Sequence, residues 1–115
     1  MRYLLKANLP AEEGNKAIKN GSLPKNVKEI LNELKPEAAY FGSENGKRTA
    51  FLVVNINDAS EIVKIAEPFF LAFNADVTLT PVMTAEDLEK GFRNLESLVT
   101  KYAQRWFLLL IRFKL

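Results

Sequence analysis

The stretch Ala38–Asn55, AAYFGSENGKRTAFLVVN, decides how the rest of the chain is read. Asn45-Gly46 is its strongest turn signal, because a tight hairpin turn needs positive φ at both central positions and these residues tolerate it. Ala38–Gly42 and Lys47–Asn55 are therefore predicted to pair as strands around Ser43–Gly46. The second arm is nearly all apolar from Thr49 to Val54, which predicts a central strand covered on both faces.

Working upstream, Met1–Ala7 alternates as a strand does, with Tyr3, Leu5 and Ala7 pointing one way and Arg2, Leu4 and Lys6 the other. Pro10 suits a first helical position and Glu12 and Glu13 follow it in the first turn, where the helix dipole favours acids. Asn20-Gly21 ends this helix. A second has Pro24 at its first position, preceded by Ser22 or Leu23, carries an apolar stripe of Val27, Ile30, Leu31 and Leu34, and stops at Lys35-Pro36.

Downstream, Asp58 is the predicted cap of a further helix, with Glu61 at capping-box spacing. Ile62, Ile65, Ala66, Phe69, Phe70 and Phe73 give that helix a wide apolar face, Pro68 is expected to bend or split it, and Asn74 suits a left-handed end. Val77–Val82 is the fourth strand. Thr84 and Asp87 start another helix, which Gly91 is expected to break. Leu95, Leu98, Val99, Tyr102, Trp106, Leu109, Leu110 and Phe113 then recur at helical spacing, although Trp106–Ile111 is apolar enough for a strand. The order β-α-β-β-α-β with a helical extension predicts an α+β fold of the ferredoxin-like, split βαβ kind. The helical crossovers cover one sheet face. Leu4, Ala50, Leu52 and Leu79 are assigned to the other, which the C-terminal helix or a second subunit must cover.

The chain has 115 residues, 48% of them hydrophobic, and neither cysteine nor histidine. This length suits one globular domain, here read as residues 1–100, followed by a basic, apolar tail over 101–115. The two absent residue types exclude Ser-His-Asp and Cys-His nucleophiles, imidazole bases, Cys/His zinc sites, thiolate-held iron–sulfur clusters and thiol redox chemistry. Carboxylates, lysines and tyrosines remain for acid–base work. No dense acidic loop suggests a hard cation, so neither metal nor cofactor is expected. MRYLLKANLP lacks the apolar run of a signal peptide, and no stretch reaches the ~18 apolar residues of a membrane span, so a soluble, cytoplasmic protein is expected. The net charge of +2 is unevenly placed: 1–100 holds 12 basic and 14 acidic residues, and Lys101, Arg105, Arg112 and Lys114 carry the excess.

Lys35–Phe41 (KPEAAYF), Gly46–Ala50 (GKRTA), Ala66–Asn74 (AEPFFLAFN) and Pro81–Leu88 (PVMTAEDL) resemble an uncharacterised family of small bacterial proteins in the dimeric α/β-barrel superfamily. The resemblance covers about residues 1–91 and implies two ferredoxin-like sheets packed face to face in a homodimer. Superfamily members include small-molecule monooxygenases, lactone isomerases and haem enzymes, many of which depend on a histidine. This chain has none, so those catalytic sites do not transfer to it.

The residues left as ligand-binding candidates are Lys6, Tyr40, Arg48, Glu67 and Asp76. Lys6 and Arg48 sit on strands where a small carboxylate could be held, against the plainer alternative of a salt bridge with Glu37, Glu44 or Asp76 or a strand-end charge reaching water. A kink at Pro68 would shape a pocket lined by Phe69, Phe70 and Phe73 with Glu67 at its edge; the alternative is ordinary core packing. Asp76, Thr78 and Thr80 share one strand face, either lining a wet barrel interior or facing solvent. LLKANLP at Leu4–Pro10 resembles the first-strand motif of RNA-recognition modules, but the stacking position on that strand is Leu5, and the hairpin strand has Arg48 and Ala50 at alternating positions with Phe51 on the other face, so no nucleic-acid partner is expected. The tail is read as packing on protein rather than on a membrane, since its apolar run has no polar face. Together these readings give a homodimer with a small-molecule-binding or structural role. The alternative is a cofactor-free isomerase or oxygenase on a small organic substrate, and a third reading is a basic-tail adaptor for membranes or anionic polymers.

Overall fold

A computed structural model describes residues 1–103, and the expected helix or strand around Trp106–Phe113 lies outside them. Strands β1 (Arg2–Asn8), β2 (Ala38–Glu44), β3 (Lys47–Asn55) and β4 (Asp76–Pro81) form one antiparallel sheet in the order β2-β3-β1-β4. Helices α1 (Ala11–Lys19) and α2 (Ser22–Leu34) link β1 to β2, and α3 (Glu61–Phe73) links β3 to β4. The chain divides into two compact units, Met1–Val82 and one that begins at Met83. The second unit contains α4 (Ala85–Phe92), α5 (Leu95–Leu98) and a π-helical turn, Val99–Ala103.

The expected hairpin forms, with β2 running on through Ser43 and Glu44 so that the turn is Asn45-Gly46 alone. Asn45 and Gly46 take φ of 54° and 76°, and Ser43 pairs with Arg48 across the turn. Chain reversals elsewhere also use the left-handed region, at Gly21, Lys35 and Asn74. Asn74 ends α3 with its N–H on the Phe70 carbonyl, and the Ala75 N–H reaches Phe69. At the other end of α3 the capping box is only half made. Glu61 Oε2 accepts from the Asp58 N–H at 2.9 Å, but the Asp58 carboxylate turns to Ser60 N and Oγ, so the helix starts at Glu61. Pro68 neither splits α3 nor ends it: the helix is continuous across it. Pro24 is at the third rather than the first position of α2. The full capping box forms at Thr84 and Asp87, and α4 runs through Gly91 to Phe92 before it stops.

One sheet face makes the core. Leu5 and Ala7 of β1 are fully buried beside Leu52 and Ala50 of β3, and Val77 and Leu79 of β4 align with them. Against this face pack Ile30 of α2 and Ile65, Phe69 and Phe73 of α3, with Leu23, Val27, Leu31 and Leu34 partly buried around them. The stripe predicted on α2 is therefore its packing face.

The assignment of the opposite face needs correction. In the observed register Leu5 aligns with Leu52 and Leu79, and Ala7 with Ala50, so three of the residues expected on the second face belong to the helix-covered one. Only Leu4 lies on the other side, where it aligns with Val53 and Thr80. β3 is central but not sealed on both faces: Ala50, Leu52 and Val54 are buried, while Phe51 and Val53 are only half-buried. A strand whose residues are all apolar gives no parity signal, which is why β3 by itself did not reveal which set faced the helices.

Candidate functional site

The helix-covered face holds a cavity of about 210 Å³ between β2, β3, α2 and α3. Leu23, Val27, Ile30 and Leu31 of α2, Phe69 and Phe73 of α3, and Ala50 and Leu52 of β3 form its walls. Its apolar walls follow directly from sequence periodicity: the α2 stripe faces the sheet, and the small side chain of Ala50 leaves space beneath it. Phe41, Gly42 and Arg48, the exposed members of the lining, mark the mouth. Phe41 is on the helix side of β2 because it aligns with Ala50, yet it stays 56% exposed.

Arg48 is the one charged residue that lines this cavity among the described residues. Its guanidinium lies across α1 at Gly14: a Cβ placed on Gly14 would come within 2.7 Å of Arg48 Nη1. A glycine inside a helix costs about 1 kcal/mol relative to alanine, and here it opens the space that the guanidinium occupies. Of the two plainer readings of Arg48, a pairing with Glu37, Glu44 or Asp76 is not made, whereas an exposed charge at the strand end is what is observed. Glu37 pairs with Arg2 at 2.9 Å, Glu44 with Lys6 at 2.9 Å, and no ion pair of Arg48 is found among the described residues.

The open sheet face carries a separate polar cluster. Lys6 Nζ meets Glu44 Oε2, and Asn8 Nδ2 donates to Glu44 Oε1 at 3.4 Å and to Thr49 Oγ1 at 2.8 Å. Thr49 Oγ1 in turn donates to the Lys47 carbonyl at 3.0 Å. The hydrogen bond and charge of Lys6 hold the Glu44 carboxyl below its ordinary value, with Asn8 adding to the effect. Lys6 also stands 6.0 Å over the Phe51 ring, at the outer limit of a cation–π contact. The residues of this cluster satisfy one another, and no buried side-chain polar atom among the described residues lacks a partner.

The sequence candidates therefore fall in three places. Lys6, Tyr40 and Asp76 lie on the open face, where Tyr40 is 70% exposed and Asp76 aligns with Asn8. Arg48 lies at the cavity mouth on the opposite face. Glu67 is exposed on α3 and lines no part of the cavity. The expected pocket of Phe69, Phe70 and Phe73 is only partly correct: Phe69 and Phe73 are wall residues, while Phe70 is 40% exposed and outside the lining. The candidates do not converge as an acid–base pair. The RNA comparison changes too, because Leu5 and Ala50 face the helices and the open face presents Leu4, Tyr40 and Phe51 instead. Sequence reasoning missed Phe41 and Gly14. The parity of β2 opposite Ala50 and an unexplained glycine inside α1 were the signals for them.

Among the described residues no helix is long and apolar enough to cross a membrane, and no cluster of acidic side chains is placed to hold a metal ion. No protein-family model matches the chain, and no curated protein is significantly similar to it.

Proposed function

We propose that this chain is a ferredoxin-like domain that binds a small organic molecule in the cavity beneath α2, and that two copies join through their open sheet faces. The sheet order supports the topology: β3 and β4 flank β1, with β2 outside β3, as expected when helical connections return the chain over one face of a split βαβ unit. The motifs similar to those of dimeric α/β-barrel proteins point the same way.

The cavity is the observation that carries the function. Small-molecule sites are concave, mainly apolar and furnished with few polar groups, and this one has an apolar floor and a single cation at its mouth. Its volume of about 210 Å³ exceeds the ~150 Å³ in which a protein interior holds benzene. The test is ligand-observed NMR with a panel of small apolar and amphiphilic compounds, followed by methyl spectra of the protein. Methyl signals of Val27, Ile30, Leu31 and Leu52 are expected to shift with at least one compound. If every binder leaves them unmoved, the site is elsewhere.

The homodimer rests on the open face. Leu4, Phe51 and Val53 are half-buried there beside the exposed Tyr40. A two-fold partner would supply a second apolar strip and a second Lys6–Glu44 pair to the same surface. Sedimentation velocity at micromolar concentration is expected to give a dimer that Phe51→Glu converts to folded monomer. A monomeric native protein overturns this part.

A further inference from the structure

We propose that the cavity under α2 selects a small monocarboxylate with a compact apolar body, its carboxylate seated on the Arg48 guanidinium. This identification of the ligand class rests on the small-molecule reading above and deepens it. The inference comes from three features of the same site. The side chains of the walls deeper than the mouth are apolar; Thr49 also lines the cavity, but its hydroxyl belongs to the open-face cluster with Asn8 and the Lys47 carbonyl. The ligand body therefore has no polar partner to meet inside, and a hydroxyl or amine buried there would be left unsatisfied.

Charge sets the head group. Arg48 is the charged residue of the lining, is exposed, and takes part in no ion pair among the described residues, so its fork of donors is available for an incoming anion. A planar guanidinium matches a carboxylate in bidentate geometry. One cation balances one negative charge. A phosphate monoester, with close to two charges near neutral pH, would need a second cation, and no other basic residue lines the cavity among the described residues.

Gly14 supplies the position. Its missing side chain lets Nη1 of Arg48 lie against α1, while Arg48 also lines the cavity together with Phe41 and Gly42. Any larger residue would push the guanidinium away from the helix. Gly14 is thus a positioning residue: it acts on the ligand only through Arg48. The volume admits a ring with a short arm, since a cavity of about 150 Å³ already holds benzene.

The probes are 3-phenylpropionate and its neutral isostere 3-phenylpropionamide, titrated by calorimetry into the native chain and into Arg48→Met, Gly14→Ala and Ala50→Leu. The carboxylate is expected to bind roughly tenfold more tightly than the amide, the scale of a bidentate charge pair that water still reaches. Arg48→Met is expected to abolish that preference and leave amide affinity unchanged. Gly14→Ala should reduce the preference without touching the amide, and Ala50→Leu should weaken both probes. In the native protein 0.5 M sodium chloride should weaken the carboxylate alone, a readout that needs no variant to fold. Equal affinity of the two probes for the native chain, or a preference that survives Arg48→Met, overturns the carboxylate assignment and leaves the cavity as a site for neutral molecules. Binding of neither probe, with the methyl signals of the wall unmoved by the wider panel as well, overturns the small-molecule reading itself.

Discussion

Replacing Ala50 by leucine tests whether the space beneath α2 is open, because the sign of the stability change depends on it. Ala50 is 7% exposed on β3, in register with Ala7 and Phe41, and lines the cavity. Leucine adds three carbons. At about 0.8 kcal/mol for each buried carbon, the gain is roughly 2.4 kcal/mol. Restricting the new side chain costs about 0.5–1 kcal/mol, which leaves a net stabilisation of roughly 1.5–2 kcal/mol. For a domain of this size Tm should rise by about 6–16 °C, at about 4–8 °C per kcal/mol. A filled core would respond in the opposite direction, since forcing methylenes into packed space costs about 1–3 kcal/mol. Thermal unfolding followed by circular dichroism, with urea titration at 25 °C, reads the difference. Leu52→Ala is the control: Leu52 is 1% exposed on the same strand, and its truncation should cost about 2–5 kcal/mol in either case. A lower Tm for Ala50→Leu refutes the cavity and the ligand assignment built on it.

Lys35 ends α2 with φ of 45° and ψ of 60°, a conformation that carries a steric penalty for a side chain, so Lys35→Gly should raise the urea-derived stability by about 0.5–1 kcal/mol. Thr84→Ala removes the hydroxyl that accepts the Asp87 N–H at 3.1 Å, and should weaken α4 by about 1 kcal/mol, seen as faster amide exchange over residues 85–92. Acid should destabilise the first unit through three carboxyls held below their ordinary values: Glu44 by Lys6, Asp58 by Ser60, and Glu61 by the Asp58 and Asn57 N–H groups. A carboxyl lowered in the folded state binds fewer protons than it does unfolded, so its stabilisation is complete above the unfolded value near 4.5 for Glu44 and is lost as pH falls through the lowered one. Urea midpoints at pH 7, 5 and 3 should fall toward acid, and Glu44→Gln should lose less between pH 5 and 3 than the native chain does.

The elements themselves were legible because their signals are local. Asn45-Gly46 needs no tertiary partner to favour a hairpin, Thr84 and Asp87 satisfy each other within one helical turn, and the 3.6-residue stripe on α2 marks its buried face by spacing alone. The complementary limit shows at Pro68, where the expected split does not occur, and at Gly91, where α4 stops one residue late. Each disfavours a helix intrinsically, and both helices continue across them. Phe69 and Ala66, buried beside Pro68, hold α3 on the core, whereas the described residues around Gly91 are all exposed and give no comparable account.

From sequence alone, then, came the α+β class, the strand and helix order, and the absence of the cysteine and histidine chemistry that many small enzymes use. Which way each strand faced was left to the tertiary structure. Strand parity is a relative quantity: it fixes which residues share a face, but register against a partner decides which face is buried. That register moved Ala50, Leu52 and Leu79 to the helix side, separated Arg48 from Lys6 by the thickness of the sheet, and brought Gly14, far away in the chain, under the Arg48 guanidinium. The cavity exists only where α2, α3 and β3 meet. A site assembled from distant segments leaves no contiguous motif, and the composition of its walls is indistinguishable in sequence from that of a filled core.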